Sequence, residues 1–287
     1  MAGSTTTTLN DLLPSIVAEA MFVASERSIM RGLVKNYSLS AGQGKTVTVP
    51  RYPIQTISAA LTEGDEISNT EVSTDGATLT VATNAIRTLV TDLSVAASSS
   101  NVVADLGRLF GEAVARKMDK DLMALFDGFS TALGDGSAAI APADIFNAVT
   151  KLKIAGVPTD GVVCVLHPAI AYDLKAALTT GGNGVFAAGG GVSEVANEAM
   201  RQGFVGQLAG IPIFESANMA NTGTAGDFKG AVFHRDALGL AMIGDIQIET
   251  QRRASYLGTD VIAYCHYGVG ELYDAYGVEL HYDSSIL

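Results

Sequence analysis

The chain has 287 residues, 48% hydrophobic and 17% charged, enough to bury a substantial core in one or two domains. Its formal charge of -12 argues against a protein that grips nucleic acid electrostatically, because phosphate neutralisation needs clustered Lys and Arg. It leaves room for a wall that surrounds nucleic acid without binding it tightly. No window reaches the roughly 18 apolar residues of a membrane span, and no basic segment precedes an apolar one near Met1. The sequence therefore predicts no membrane partner, no signal peptide and a protein made in the cytosol.

Residues 1–8 (MAGSTTTT) are low in complexity. Residues 9–33 carry a short amphipathic pattern through Leu12, Leu13, Ile16, Val17, Ala20 and Met21, which predicts a partly helical arm that needs something to lie on. From Lys45 the period changes to two. Thr46–Val49 alternates, and residues 77–82 alternate again after Asp75-Gly76. This predicts a two-stranded ribbon over 45–92 with an acidic tip at Glu63, Asp65 and Glu66. A lone ribbon is marginal in water and its open edges invite pairing, so it is expected to lie across another subunit.

The segment 98–129 organises the rest. Val102, Val103, Leu106, Leu109, Phe110, Ala113, Val114, Met118, Leu122, Leu125 and Phe126 form one broad helical stripe. Arg108, Glu112, Arg116, Asp119 and Lys120 fall on the remaining surface, the serine run and Asn101 suit an N-cap, and Gly128 suits a left-handed stop. The stripe is too wide for a coiled-coil seam, which predicts a spine over which sheets are laid.

Beyond it the pattern predicts a helix over 142–155, a strand over 161–166, and a helix opened by His167-Pro168. A glycine-rich loop at 181–191 and a helix over 193–204 follow, then a strand at 211–214 placed at an edge by Pro212. Further strands are expected at 231–233, 245–251, 259–267 and 277–282, making an α+β chain rather than a βαβ repeat.

Catalytic and binding motifs fail on inspection. Ala41-Gly-Gln-Gly-Lys-Thr46 lacks the first glycine of a phosphate loop, which would fall at Leu39, and is followed by a strand instead of a helix. The 181–191 stretch follows a helix, unlike a dinucleotide loop. His167, His234, His266 and His281 are dispersed, and Cys164 and Cys265 sit in apolar strands as expected buried thiols. Glu63, Asp65 and Glu66 lack the further ligands of a calcium loop. No nucleophile elbow is present. The residues thus predict no catalytic, cofactor or metal site. Arg252-Arg253 is expected to bond acidic groups across an interface more than phosphate.

The order of arm, ribbon, long helix and mixed domain resembles the major capsid proteins of tailed bacteriophages with the HK97-like fold. The phrases that carry the resemblance are Gly206-Gln-Leu-Ala-Gly-Ile-Pro-Ile-Phe-Glu-Ser216 with Asn218-Met219, and Val232-Phe-His-Arg-Asp-Ala-Leu-Gly239. The resemblance implies an N-terminal arm (1–43), an E-loop ribbon (44–95), a P-domain (96–150 with 242–267) and an A-domain (151–241 with 268–287). It implies a non-enzymatic shell subunit forming hexamers and pentamers of an icosahedral virion around double-stranded DNA, without cofactor. Separate scaffolding protein, portal protein and a decoration or cement protein are the implied partners, with assembly in the host cytoplasm. Glu63, Asp65, Glu66, Arg108, Arg116, Arg252 and Arg253 are the candidate intersubunit contacts. Covalent cross-linking known in some relatives uses an E-loop lysine, and residues 54–86 contain none. An encapsulin-like nanocompartment shell is the alternative on the same fold; a soluble hydrolase would need a cleft with convergent titratable groups.

Overall fold

The computed structural model describes residues 29–40, 42, 44–52, 71–72, 74–93, 102–180, 207–222 and 226–287; the side chains at 102–105, 107–108, 178–180 and 207 fall outside that description. Most of the expected arm, the acidic tip Glu63/Asp65/Glu66, the Ser98–Asn101 cap, the Arg108 side chain, the 181–191 loop and the 193–204 helix lie outside it.

The described chain begins with a short helix, α1 (Met30–Leu33), and a strand, β1 (Lys35–Leu39). Gly42 and Gly44 take positive φ in the turn that leads into β2 (Thr46–Arg51), so the glycines near Lys45 serve a turn before a strand. β3 (Asp75–Thr80) pairs antiparallel with β2 from Thr46↔Thr80 to Arg51↔Asp75.

Here the structure corrects the extent of the ribbon. The register with β2 ends at Thr80, and past Val81 β4 (Ala82–Thr91) pairs instead with a distant strand, β11 (Gly258–Glu271). The alternation over 77–82 suggests one ribbon strand, because a strand's period says nothing about its partner. β11 also pairs antiparallel with β10 (Leu238–Arg253), and β1 adds in parallel to β10, giving the order β1-β10-β11-β4. β10 is longer than expected because it continues through a register shift between Ile243 and Gln247, where Gly244 has φ 68°.

The spine helix, α2 (Val102–Ala124), is 23 residues, about 35 Å at 1.5 Å per residue. A 3-10 turn, Leu125–Gly128, prolongs it. Gly128 is not a left-handed stop: the chain leaves through Phe129 in extended conformation, which lets Phe129 stack on Phe126 with ring centroids 6.4 Å apart. Phe110, Val114, Met118, Leu122 and Phe126 are buried as the stripe predicts, whereas Leu109 is 59% exposed and Asp119 is fully buried. The inward face is thus rotated slightly from the one hydrophobicity alone suggests.

A second sheet has the order β5-β12-β9-β6-β8-β7, from β5 (Ala132–Leu133), β6 (Val162–Leu166), β7 (Gln207–Leu208), β8 (Ile211–Glu215), β9 (Phe228–His234) and β12 (Gly277–Tyr282). β8 is one place in from the edge, since the two-residue β7 covers its first residues. α3 (Pro142–Ile154) turns Ile145, Ala148, Val149 and Leu152 inward, and α4 (Pro168–Thr180) turns Ala169, Ile170, Ala171 and Leu174 inward. α2 rests on β11 of the first sheet while its 3-10 end touches β9 and β12 of the second. Phe126 packs on Phe233 at 5.4 Å between ring centroids, so one apolar core runs through both sheets beneath the spine.

Candidate functional site

A protein built around a spine works through its joints. Two are visible: the crossing between the sheets and the root of the ribbon.

The chain leaves the six-stranded sheet at His234, turns through Arg235–Ala237, and enters the four-stranded sheet at Leu238. The turn is tied at every residue. The Nε2 of His234 lies 2.8 Å from the Asp160 carbonyl, which can only accept, so Nε2 carries the proton. Nδ1 is then free to accept from the Asp236 backbone N–H at 3.2 Å. One imidazole thus holds both ends of the turn. The Ala237 carbonyl accepts from the N–H groups of Leu272 and Tyr273, binding the outward crossing to the returning one. Asp236 pairs with Lys35 at 2.9 Å, which raises the Lys35 pKa, and Arg235 donates to the Val34 carbonyl, so β1 is fastened to the same joint. This is the physical content of the phrase Val232–Gly239.

The other phrase, over its described residues 207–216, forms a two-residue hairpin between β7 and β8 with Ala209 at φ 57° and Gly210 at φ 81°. Beyond β8 the Ser216 N–H donates to the Leu166 carbonyl, and the Asn218 amide donates to the buried Asp119 of the spine at 3.4 Å. Asp119, expected on the surface, is a fixed polar contact between spine and second sheet. Tyr267 of β11 makes the matching contact between spine and first sheet, its hydroxyl donating to Asp121 at 2.7 Å; burial and the Asp121 carboxylate raise its pKa.

The ribbon root is a plug in a glycine socket. Leu79 is 1% exposed and stands over Gly239 and Gly270, which are register partners on β10 and β11. A Cβ at Gly239 or Gly270 would meet Leu79 methyl groups at 2.9 and 2.6 Å, and one at Gly268 would meet the Thr80 carbonyl oxygen at 2.2 Å. Three absent side chains therefore let β3 cross directly over β11. Arg51 secures the other ribbon strand, donating to the Leu272 carbonyl at 3.0 Å and pairing with Asp75 at 2.5 Å. Beside it Glu271, partly buried and next to Asp274, has a raised pKa from burial first and the Asp274 charge second. The sequence reading missed this socket. The spacing Gly268-Val-Gly270 within a strand was the available signal, because paired glycines on one face mark a close backbone approach.

At the far end of the four-stranded sheet Arg252 forms a two-bond pair with Asp92, at 2.5 and 2.6 Å, which lowers the Asp92 pKa. Arg253 and Arg87 both hold Asp260, at 2.7 and 2.9 Å, so one carboxylate that is 1% exposed joins β10, β11 and β4. The two candidate arginines thus find acidic partners inside the chain. Arg116 is exposed on the spine, far from this group in sequence.

Cys164 and Cys265 are free and buried; burial pushes both thiols up, Cys265 to about 11. Among the described residues no three His, Cys, Asp or Glu side chains are placed to hold a metal ion. No described helix is long and apolar enough to cross a membrane. A cleft of about 220 Å³ beside α3 has Lys153 and Asp160 as its charged lining and no nucleophile–base pair.

The fold is the HK97-like α+β fold: a spine, two sheets hinged beneath it, and a ribbon projecting from one. The chain belongs to the family described as phage capsid protein, whose model matches residues 74–279. No curated protein matches it. Among solved structures it is similar to that of Mycobacterium phage Che8, with TM-score 0.68 and 24% identity over 84% of this chain and 85% of the other. It is similar also to the capsid of cyanophage P-SCSP1u, with TM-score 0.68 and 18% identity over 90% and 89%. A virus-like particle from Pyrococcus furiosus matches with TM-score 0.62 and 8% identity over 93% and 98%.

Proposed function

We propose that the chain is the shell subunit of an icosahedral bacteriophage capsid, arranged in hexamers and pentamers around double-stranded DNA. The family match across residues 74–279 carries this reading. The mechanism is assembly without catalysis. The ribbon rooted at Leu79 lies over a neighbouring subunit, with Glu63, Asp65 and Glu66 at the contact, while the arm lies beneath another. Residues 1–43, 44–95, 96–150 with 242–267, and 151–241 with 268–287 act as arm, E-loop, P-domain and A-domain. Arg108, Arg252 and Arg253 add intersubunit contacts; Arg252 and Arg253 do so with guanidinium surface left exposed by their internal pairs. A separate scaffolding protein, a portal protein and a cement protein complete the virion, which is assembled in the host cytoplasm.

Likeness to a virus-like particle keeps one second reading, a nanocompartment shell around a cargo protein. Negative-stain microscopy of the purified chain, with and without a co-expressed scaffold, tests both. Closed shells support the first reading, co-purified cargo in small shells supports the second, and soluble monomers under all conditions refute both.

A further inference from the structure

Between Leu109 and Ala124 the sequence carries three acidic and three basic side chains, Glu112, Asp119, Asp121, Arg116, Lys117 and Lys120, and so reads as neutral. The fold sorts them. Glu112 is half-buried one turn before Arg116 and has a partner of its own. Asp119 is fully buried and receives Asn218. Asp121 is turned toward β11, where it accepts from Tyr267 and is neutralised by Lys117 at 2.6 Å. Arg116, Lys117 and Lys120 are all exposed, and they fall within about 100° of one another around the helix axis. Arg116 and Lys120, one turn apart, carry no ion pair among the described residues. A helix of balanced charge thus presents a cationic strip on a chain of net charge -12.

We propose that this strip is a contact for the phosphate backbone of the enclosed duplex DNA. The inference rests on the reading of the chain as a DNA-enclosing shell. Point charges one helical turn apart suit phosphates, which are contacted without regard to sequence. The centre of a protein interface is enriched in large apolar and aromatic anchors among the charges. The one exposed large apolar side chain on this stretch is Leu109, about two turns upstream of Arg116. Many copies of a two- or three-phosphate contact line the DNA weakly and uniformly, while the acidic remainder of the chain keeps it from sticking.

The test is binding of a short labelled duplex of random sequence to soluble full-length subunits, followed by anisotropy between about 50 and 200 mM salt. Each neutralised phosphate adds about 0.9 to the slope of log affinity against log salt, so R116Q/K120Q should flatten it by about 1.8. R116K/K120R should keep the wild-type slope. If the double variant is poorly folded, R116Q and K120Q are measured singly, each expected to remove about 0.9. An unchanged slope overturns the proposal, and so does a loss seen with poly-glutamate but not with DNA, which would make the strip a seat for an acidic protein. Microscopy of the same preparations reports shell formation separately. Normal shells with an unchanged slope sink the strip alone, whereas wild-type chains that never form shells sink the reading beneath it.

Discussion

Replacing Gly268 by alanine adds one methyl group at the crossing of β3 over β11. That Cβ would lie 2.2 Å from the Thr80 carbonyl oxygen, 2.6 Å from the Thr80 carbonyl carbon and 3.0 Å from the Val81 nitrogen. Ordinary contact begins near 3.4 Å, so the backbone at the β3–β4 junction must move by about 1 Å. No rotamer can relieve the clash, since the obstacle is main chain. The Val81 N–H bond to the Lys45 carbonyl, at 2.8 Å, is strained first, and the Leu79 plug is lifted from its socket next. Overpacking of this kind costs about 1–3 kcal/mol, and a backbone obstacle places it near the upper end. For a chain this size about 2–3 kcal/mol lowers the melting temperature by roughly 5–10 °C. Gly270→Ala is the internal control, because its Cβ meets only a Leu79 methyl at 2.6 Å, which a side chain can yield. Thermal melts of assembly-blocked subunits, paired with microscopy of assembled ones, read both effects. G268A should melt lower than G270A and form fewer closed shells, since the ribbon leaves its root at a changed angle. Equal melting of G268A and the wild type would refute the socket.

Asp260→Ala should destabilise the far end of the four-stranded sheet by about 2 kcal/mol in a denaturant titration; breaking a buried pair costs more, but Arg87 and Arg253 are 49% and 38% exposed and can rehydrate. Glu271 titrates above the usual carboxyl range, so its neutral form is the one the fold favours. The stability it contributes is full below about pH 4.3 and lost as pH rises through its raised value. Glu271→Gln should therefore raise the denaturation midpoint at pH 7 and leave it unchanged at pH 4; a lower midpoint at pH 7 counts against the account. Reversal of Glu63, Asp65 and Glu66 to Lys should impair shell formation while circular dichroism stays native, and assembly at the wild-type concentration threshold would show the tip to be merely solvated. With no lysine at 54–86 and both thiols buried, mature particles boiled in detergent without reductant should run as one band near 29.6 kDa, not as a ladder of multimers.

The sequence by itself determined the elements whose signal is local. The 3.6-residue stripe from Phe110 to Phe126 produced the spine, because an amphipathic helix buries whichever face is apolar, whatever covers it. Val162–Leu166 was legible as a strand buried on both faces, and the buried cysteines followed from their apolar neighbours. The capsid family was legible in the phrases around Pro212 and His234, and the structure supplies their reason: one builds a hairpin that ends on Asp119, the other locks the turn between the sheets. What only the tertiary structure decided was pairing over distance. Residues 77–82 alternate as one strand would, yet the register with β2 ends at Thr80 and β4 goes to β11, more than 160 residues away, which leaves a shorter ribbon. Leu79 is like any strand leucine until Gly239 and Gly270 are brought beneath it. Asp119 and Arg116 are both charged residues on one helix; burial of the first and exposure of the second depend on where Asn218 arrives. Periodicity reports which residues prefer to leave water, but the choice among partners is made by backbone approach and charge neutralisation, which exist only once distant segments meet.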